Sequence, residues 1–142
     1  MPPLCEVENL NVHFPLRGFS AWLRTLQDGK PPIVRAVDGV SFAVEEGTTV
    51  GLVGESGCGK STVARLLMRL IRPDRGTMVL DGDPVDEPHG ITVNELRRQV
   101  QMVFQDSYAS LNPRLTIGEP LAFAPKAHGG PAAEARARSR AL

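Results

Sequence analysis

The run Gly54-Glu55-Ser56-Gly57-Cys58-Gly59-Lys60-Ser61 constrains this chain more than any other stretch. Its form is glycine, four residues, glycine, lysine, then serine or threonine, the spacing of a phosphate-binding loop. Its three glycines let the backbone turn tightly and aim successive N–H groups inward, making a concave nest for anionic oxygens. In such a nest Lys60 reaches the β- and γ-phosphates, and the hydroxyl of Ser61 is a ligand for Mg²⁺. The plain alternative is a glycine turn beside a solvated lysine. By chance the pattern arises in roughly a few per thousand chains of average composition. The flanks favour the loop. Residues 49–53 are short and β-prone, as a strand buried on both faces reads. Beyond the loop, Val63, Leu66, Leu67, Leu70 and Ile71 recur at helical spacing with Arg65 and Arg69 off the stripe, which predicts a helix over 62–71. Strand, loop and helix in that order place free N–H groups and a positive dipole end at the phosphate site.

The rest of the composition sets bounds. A chain of 142 residues suits one domain. Its formal net charge is zero, so no global field draws it to nucleic acid or to an anionic membrane, and no nucleic-acid partner is expected. The two cysteines, Cys5 and Cys58, do not form a disulfide framework. Cys58 lies inside the loop, where a bridge would obstruct a ligand, so a reducing cytosol is the simpler setting. The first residues lack the basic-then-apolar pattern of a signal peptide. No apolar run reaches the length of a membrane span, so a membrane role would come through a partner.

Along the chain, residues 4–14 alternate loosely and predict a strand ending at Phe14. There the ring either stacks on a purine base or closes the strand end as a core residue. Residues 15–32 break the pattern as an inserted segment. Within it Phe19, Trp22, Leu23 and Leu26 have the spacing of a short amphipathic helix. A strand returns over 33–44, with Asp38-Gly39 marking a bend or bulge. Two antiparallel strands feeding a parallel one suggest a small β layer beside an α/β core. A short strand is predicted at 77–80, a hairpin turn at Asp81-Gly82, and a capping box at Thr92 with Glu95 three residues on. A short helix follows to about Arg98, with Arg97 and Arg98 on a solvated face. Residues 100–104 predict a further strand, ending in Gln105. At the carboxyl end of a strand, that amide either reaches a metal or water beside a γ-phosphate or is a surface glutamine. A helix with a Thr116 cap is predicted over 116–123, then a linker over 124–130, then an alanine- and arginine-rich helical tail over 132–142.

These residues together resemble a known family. Val53-Gly54-Glu55-Ser56-Gly57-Cys58-Gly59-Lys60-Ser61-Thr62, preceded by Ala36-Val37-Asp38-Gly39-Val40-Ser41-Phe42, is similar to ATP-binding subunits of ABC transporters. Gln101-Met102-Val103-Phe104-Gln105-Asp106, followed by Tyr108-Ala109-Ser110-Leu111-Asn112-Pro113-Arg114, resembles the oligopeptide/dipeptide importer branch, which includes nickel importers. The similarity runs from about Leu4 to Phe123. It implies an α/β fold: a P-loop NTPase core of ABC type with an antiparallel β subdomain, ending before the helical subdomain is complete. On that basis residues 1–124 are the N-terminal part of a nucleotide-binding domain, and 125–142 a linker and the start of the helical subdomain. The resemblance implies ATP contacts from Phe14, Gly54, Glu55, Ser56, Gly57, Cys58, Gly59, Lys60, Ser61, Thr62 and Gln105. It places Phe14 on adenine and gives Mg²⁺ to Ser61 and Gln105. It also implies transmembrane permease subunits docking at residues 106–115, a second ATP-binding subunit, and a cytoplasmic location on the inner face of the membrane. Ser107 stands where the family usually has proline, which bears on the rigidity of that loop.

The family continues with a Leu-Ser-Gly-Gly-Gln signature, a strand ending in Asp-Glu (the Walker B strand), and a switch histidine. None of these follows in the sequence, and His13, His89 and His128 lie in other contexts. The expectation is therefore an energy-coupling importer subunit present as an incomplete chain. It would grip ATP without cutting it, since a missing general base alone costs about 10²–10⁴-fold. A non-hydrolysing nucleotide-binding module and a non-functional remnant are the competing expectations. A GTPase would need an Asn-Lys-x-Asp motif, which is absent. Small-molecule kinases and DNA-repair ATPases share the loop but not the 103–113 region.

Overall fold

The apolar residues of the first strand set the architecture. The computed structural model describes residues 2–16, 18, 26, 29–105, 112, 114–127, 129–131, 134 and 137. They fall into two compact units, Met1–Val100 and Gln101–Leu142. In the first unit, strand β1 (Cys5–Pro15) lies between β2 (Ile33–Val44) and β3 (Arg75–Leu80), and β4 (Asp83–Pro84) adds an edge. All these pairings are antiparallel. Val7, Leu10 and Val12 of β1 point into a core shared with Val37, Met78, Leu80 and Val85. Helix α1 (Lys60–Leu67) covers this face with Val63 and Leu66, and helix α2 (Val93–Gln99) adds Leu96. Each such side chain contributes about 1.5–3 kcal/mol on burial. Packing of this kind, rather than propensity, holds a helix as short as the eight residues of α1.

The β1–β2 ladder is not regular. Its register shifts between Val7 and Leu10, between Leu10 and Val12, and between Val12 and His13. The second shift includes the bend predicted at Asp38-Gly39, where Gly39 has φ 69°. At the third, Val12 faces Val37 while His13 faces Arg35, so Ala36 is the extra residue of a bulge on β2. The β3–β4 hairpin turns through Asp81 (φ 51°) and Gly82 (φ 86°), two left-handed residues as a type I′ turn requires.

The predicted capping box forms around α2. Thr92 Oγ1 accepts from the Glu95 N–H at 3.3 Å, and the Thr92 N–H donates to Glu95 Oε2 at 2.8 Å. Arg97 is not on a solvated face. It is half-buried, and its guanidinium donates to the carbonyls of Met68 at 3.4 Å and Arg69 at 3.2 Å. Those carbonyls close the C-terminal end of α1, where a cation is favoured by the helix dipole.

Two predicted strands are not formed. Residues 49–53 have no strand partner, and Val50 and Leu52 are each 53 % exposed and Val53 93 %. Residues 100–104 are likewise unpaired, with Val103 91 % exposed. A parallel strand takes its hydrogen bonds and burial from neighbours in its own layer. Among the described residues every pairing between the named strands is antiparallel, and the one parallel bridge, Val85 with Ile91, involves neither segment.

In the second unit, helix α3 (Gly118–Ala127) begins where the N–H and hydroxyl of Thr116 donate to Glu119 Oε2 at 2.9 and 3.1 Å. Pro120 sits in its first turn, where a missing N–H costs nothing. The helix runs to Ala127, through residues expected as linker. Most of the expected helix at 19–26, residues 106–111 and 113, His128 and most of the 132–142 tail lie outside the described residues.

The Glu95 carboxyl is held below its ordinary pKa by the Thr92 N–H first, then by the Thr92 hydroxyl. A depressed carboxyl pKa stabilises the fold above the unfolded value and loses that contribution as pH falls through the folded one. The stability difference between wild type and Glu95→Gln is therefore expected near neutral pH and should vanish in acid, measured by denaturant titration across pH. Thr92→Ala, which removes the cap oxygen, should cost about 1 kcal/mol at neutral pH. The bare apolar segment at 49–53 gives a second expectation: the isolated chain self-associates, and Val53→Lys shifts it toward monomer in light scattering after gel filtration. A monodisperse wild-type monomer would contradict it.

Candidate functional site

The loop at 54–61 folds as a tight turn seated on the sheet. The Cys58 N–H donates to the Glu55 carbonyl at 3.3 Å, and the Val63 N–H donates to the Gly59 carbonyl at 2.9 Å to start α1. Gly59 stands at the N-cap with φ 102° and offers no side-chain cap. A Cβ there would collide with the carbonyl oxygen of Ala36, the bulge residue of β2. The loop backbone thus lies directly on the strand backbone, which only glycine permits. A Cβ on Gly54 would meet Cys58 Sγ at 2.7 Å, so the turn is closed tightly on its own side chain too.

Charge follows the same layout. Lys60 Nζ donates to the carbonyls of Gly54 at 2.8 Å and Glu55 at 2.6 Å, and lies 3.5 Å from Cys58 Sγ. Its ammonium therefore stands over the loop rather than in bulk solvent. The first turn of α1 contains no acidic residue, so nothing internal neutralises its positive end. Burial pushes the Cys5 thiol up, whereas Cys58 is exposed in the loop.

These features fit the phosphate tail of a nucleotide. A helix N-terminus offers N–H donors, Lys60 a cation already placed over the loop, and glycine the close approach that a phosphate needs. They also fit Mg²⁺. Ser61 presents an exposed hydroxyl in the first turn of α1, one hard oxygen for an ion that keeps several waters and takes others from phosphate.

Phe14 sits at the end of β1, paired with Val34 and 39 % exposed. Side chains alternate along a strand, so Phe14 shares the face of Val12, the face on which α1 packs. The structure thus brings the strand end of Phe14, the β2 bulge and the loop into one unit. Glu55, Ser56 and Cys58 are exposed in the loop, and Thr62 is half-buried in the first turn of α1. Gln105 belongs to the second unit and is exposed there. Ala36 was missed by sequence reasoning. The Asp38-Gly39 signal marked an irregularity in this strand, but nothing local shows that a second bulge meets the loop.

Comparison with known proteins shows the family and the fold. Residues 37–141 match the family model for ABC transporters. The chain is 51 % identical over 119 residues to the peptide ABC transporter ATP-binding protein y4tS of Sinorhizobium fredii, covering 82 % of this chain and 31 % of that protein. It is 42 % identical over 119 residues to the oligopeptide transport ATP-binding protein OppF of Salmonella typhimurium, covering 84 % of this chain and 34 % of that one. The chain thus spans about a third of the length of these relatives. Among solved structures, a dimeric post-hydrolysis state of the ATP-binding cassette MJ0796, bound to ADP and Pi, superimposes with a TM-score of 0.64. That match covers 95 % of this chain and 53 % of the other at 22 % identity, a likeness of fold.

Gly59→Ala tests the seating of the loop. It adds a methyl group against a backbone carbonyl at a positive φ, so a loss of about 2–4 kcal/mol is expected in thermal or denaturant unfolding. Gly57→Ala, whose added Cβ would meet nothing within 4 Å, should cost less.

Proposed function

The chain belongs to the ABC transporter family and has its ABC-type P-loop NTPase α/β fold, and on that premise we propose that it is the ATP-gripping portion of an energy-coupling subunit of an importer for peptides or similar small solutes. The observation that supports this most is the seated loop: Gly59 against the Ala36 carbonyl, with Lys60 held over the nest. In this reading the N–H groups of 54–61 take the β- and γ-phosphates. Lys60 exchanges its carbonyl partners for phosphate oxygens. Phe14 stacks on the adenine, and Thr62 extends the first turn that faces the phosphates. Mg²⁺ would be held by Ser61, with water and phosphate oxygens as its other ligands. When bound, the ion would offset phosphate charge.

The wider role follows the names of the relatives, which are peptide and oligopeptide transport ATP-binding proteins. Transmembrane permease subunits and a second ATP-binding subunit are the proposed partners. No described helix is long and apolar enough to cross a membrane, which accords with attachment to the inner face of the cell membrane through those subunits. Hydrolysis is not assigned to these residues alone. No Leu-Ser-Gly-Gly-Gln run occurs in the sequence, and phosphoryl transfer depends on charge clamps from both sides of the nucleotide.

Calorimetric titration with Mg-ATP tests the reading. Saturable binding is expected, with Lys60→Ala weakening it by about tenfold or more, the scale of one lost charge-assisted contact. Phosphate release by the purified chain should stay at background. No saturable binding to folded protein, or equal binding by Lys60→Ala, would overturn the proposal. Phosphate release near that of full-length relatives would overturn the assignment of binding without turnover.

A further inference from the structure

The outer face of the β1–β2 ladder holds a charged cluster that the nucleotide site leaves unused. His13 Nε2 lies 3.3 Å from Asp38 Oδ1, and Arg35 Nη1 donates to Asp38 Oδ2 at 3.3 Å. The backbone N–H of His13 donates to Asp74 Oδ2 at 2.7 Å, just beyond the last rung of β3, where Asn11 faces Arg75. Asn11, a buried polar side chain, accepts the Gly39 N–H on its Oδ1 at 2.8 Å, while its backbone carbonyl accepts the Asp74 N–H at 2.8 Å. His13, Asp38 and Asp74, with Asn9, Asn11 and Arg75, line a cavity of about 380 Å³.

The placement of Asp38 gives this cluster a task. Arg35 precedes the bulge, and Asp38 follows it. One carboxylate therefore brackets Ala36 and Val37, the residues that face Val12 across the ladder. Through its other oxygen it fixes His13 on the neighbouring strand. On the inner side of the same bracket the Ala36 carbonyl abuts Gly59 of the loop. One residue past His13 is Phe14. Because side chains alternate, the clamp on the outer face fixes the strand end whose inner face carries the ring.

We propose that Asp38, acting with His13 and Arg35, is a positioning residue that sets the spacing between Phe14 and the phosphate loop, and so governs how well the base of a seated nucleotide is held. This rests on the ATP-binding reading above and deepens it. Phosphate contacts come from the loop itself, so relaxing the clamp weakens retention of the base and leaves retention of the phosphate chain.

The experiment is titration of the full 142-residue chain and its Asp38→Asn variant with Mg-ATP and with Mg-tripolyphosphate, which has the phosphates and no base. Wild type should bind ATP more tightly than tripolyphosphate. Asp38→Asn should lose about tenfold in ATP affinity, within the range of one stacked base, while tripolyphosphate affinity stays within about twofold. A purely structural role would lower both together, and that result, or no change in either, overturns the inference. Wild type binding both ligands equally also overturns it, while leaving the phosphate site intact. Wild type binding neither overturns the ATP reading itself. If Asp38→Asn unfolds below the assay temperature, His13→Gln, which removes one arm of the clamp, takes its place with the same expected split.

Discussion

Everything in the first unit depends on a backbone-to-backbone contact, Gly59 of the loop lying on the Ala36 carbonyl of β2. Side-chain packing would be softer, since a rotamer can yield. Here no side chain intervenes, so the height of the loop above the sheet is fixed by the bulge. The bulge in turn requires that β2 contain one residue more than β1 between two rungs. The buried face of α1, Val63 and Leu66, then falls on the core of Val7, Leu10 and Val12 without adjustment. Loop, helix and sheet are one mechanical piece because of this contact.

What could be read in the sequence was what local chemistry decides. The Thr92–Glu95 cap and the Asp81-Gly82 turn need only neighbours in the chain, and each has its structural counterpart, as does the strand read at 4–14, though its burial does not alternate. What failed was what distant residues decide. The segments 49–53 and 100–104 have the composition of buried strands, but burial is conferred by flanking strands, and Val53 and Val103 remain above nine-tenths exposed. Arg97 was expected in solvent because helix periodicity cannot show that the end of another helix, 28 residues away, presents open carbonyls. The site was legible to the same degree. The spacing of 54–61 is visible in the sequence alone, whereas the contacts of Ala36 and Asp38 lie with partners on other elements.

The ends of α1 are electrostatically matched to opposite tasks. Its last turn holds Arg65, and the carbonyls beyond it receive the Arg97 guanidinium. Its first turn has neither acid nor side-chain cap. In α2 and α3 the comparable position is filled, by Glu95 and Glu119. Carboxylates of the chain therefore stand at the positive ends of α2 and α3, while α1, among these three helices of the described residues, has none in its first turn, which suits the proposed anion.

Lys60 shows why that end can remain open without penalty. A lysine free to swing would lose entropy on every binding event. Here its ammonium already rests on the Gly54 and Glu55 carbonyls, within the loop that a phosphate would enter. In the proposed binding the ammonium would shift from neutral carbonyls to charged phosphate oxygens, adding the attraction of opposite charges to hydrogen bonds whose donor is already ionised. The sheet contact at Gly59 would hold the loop on the strand through the proposed exchange.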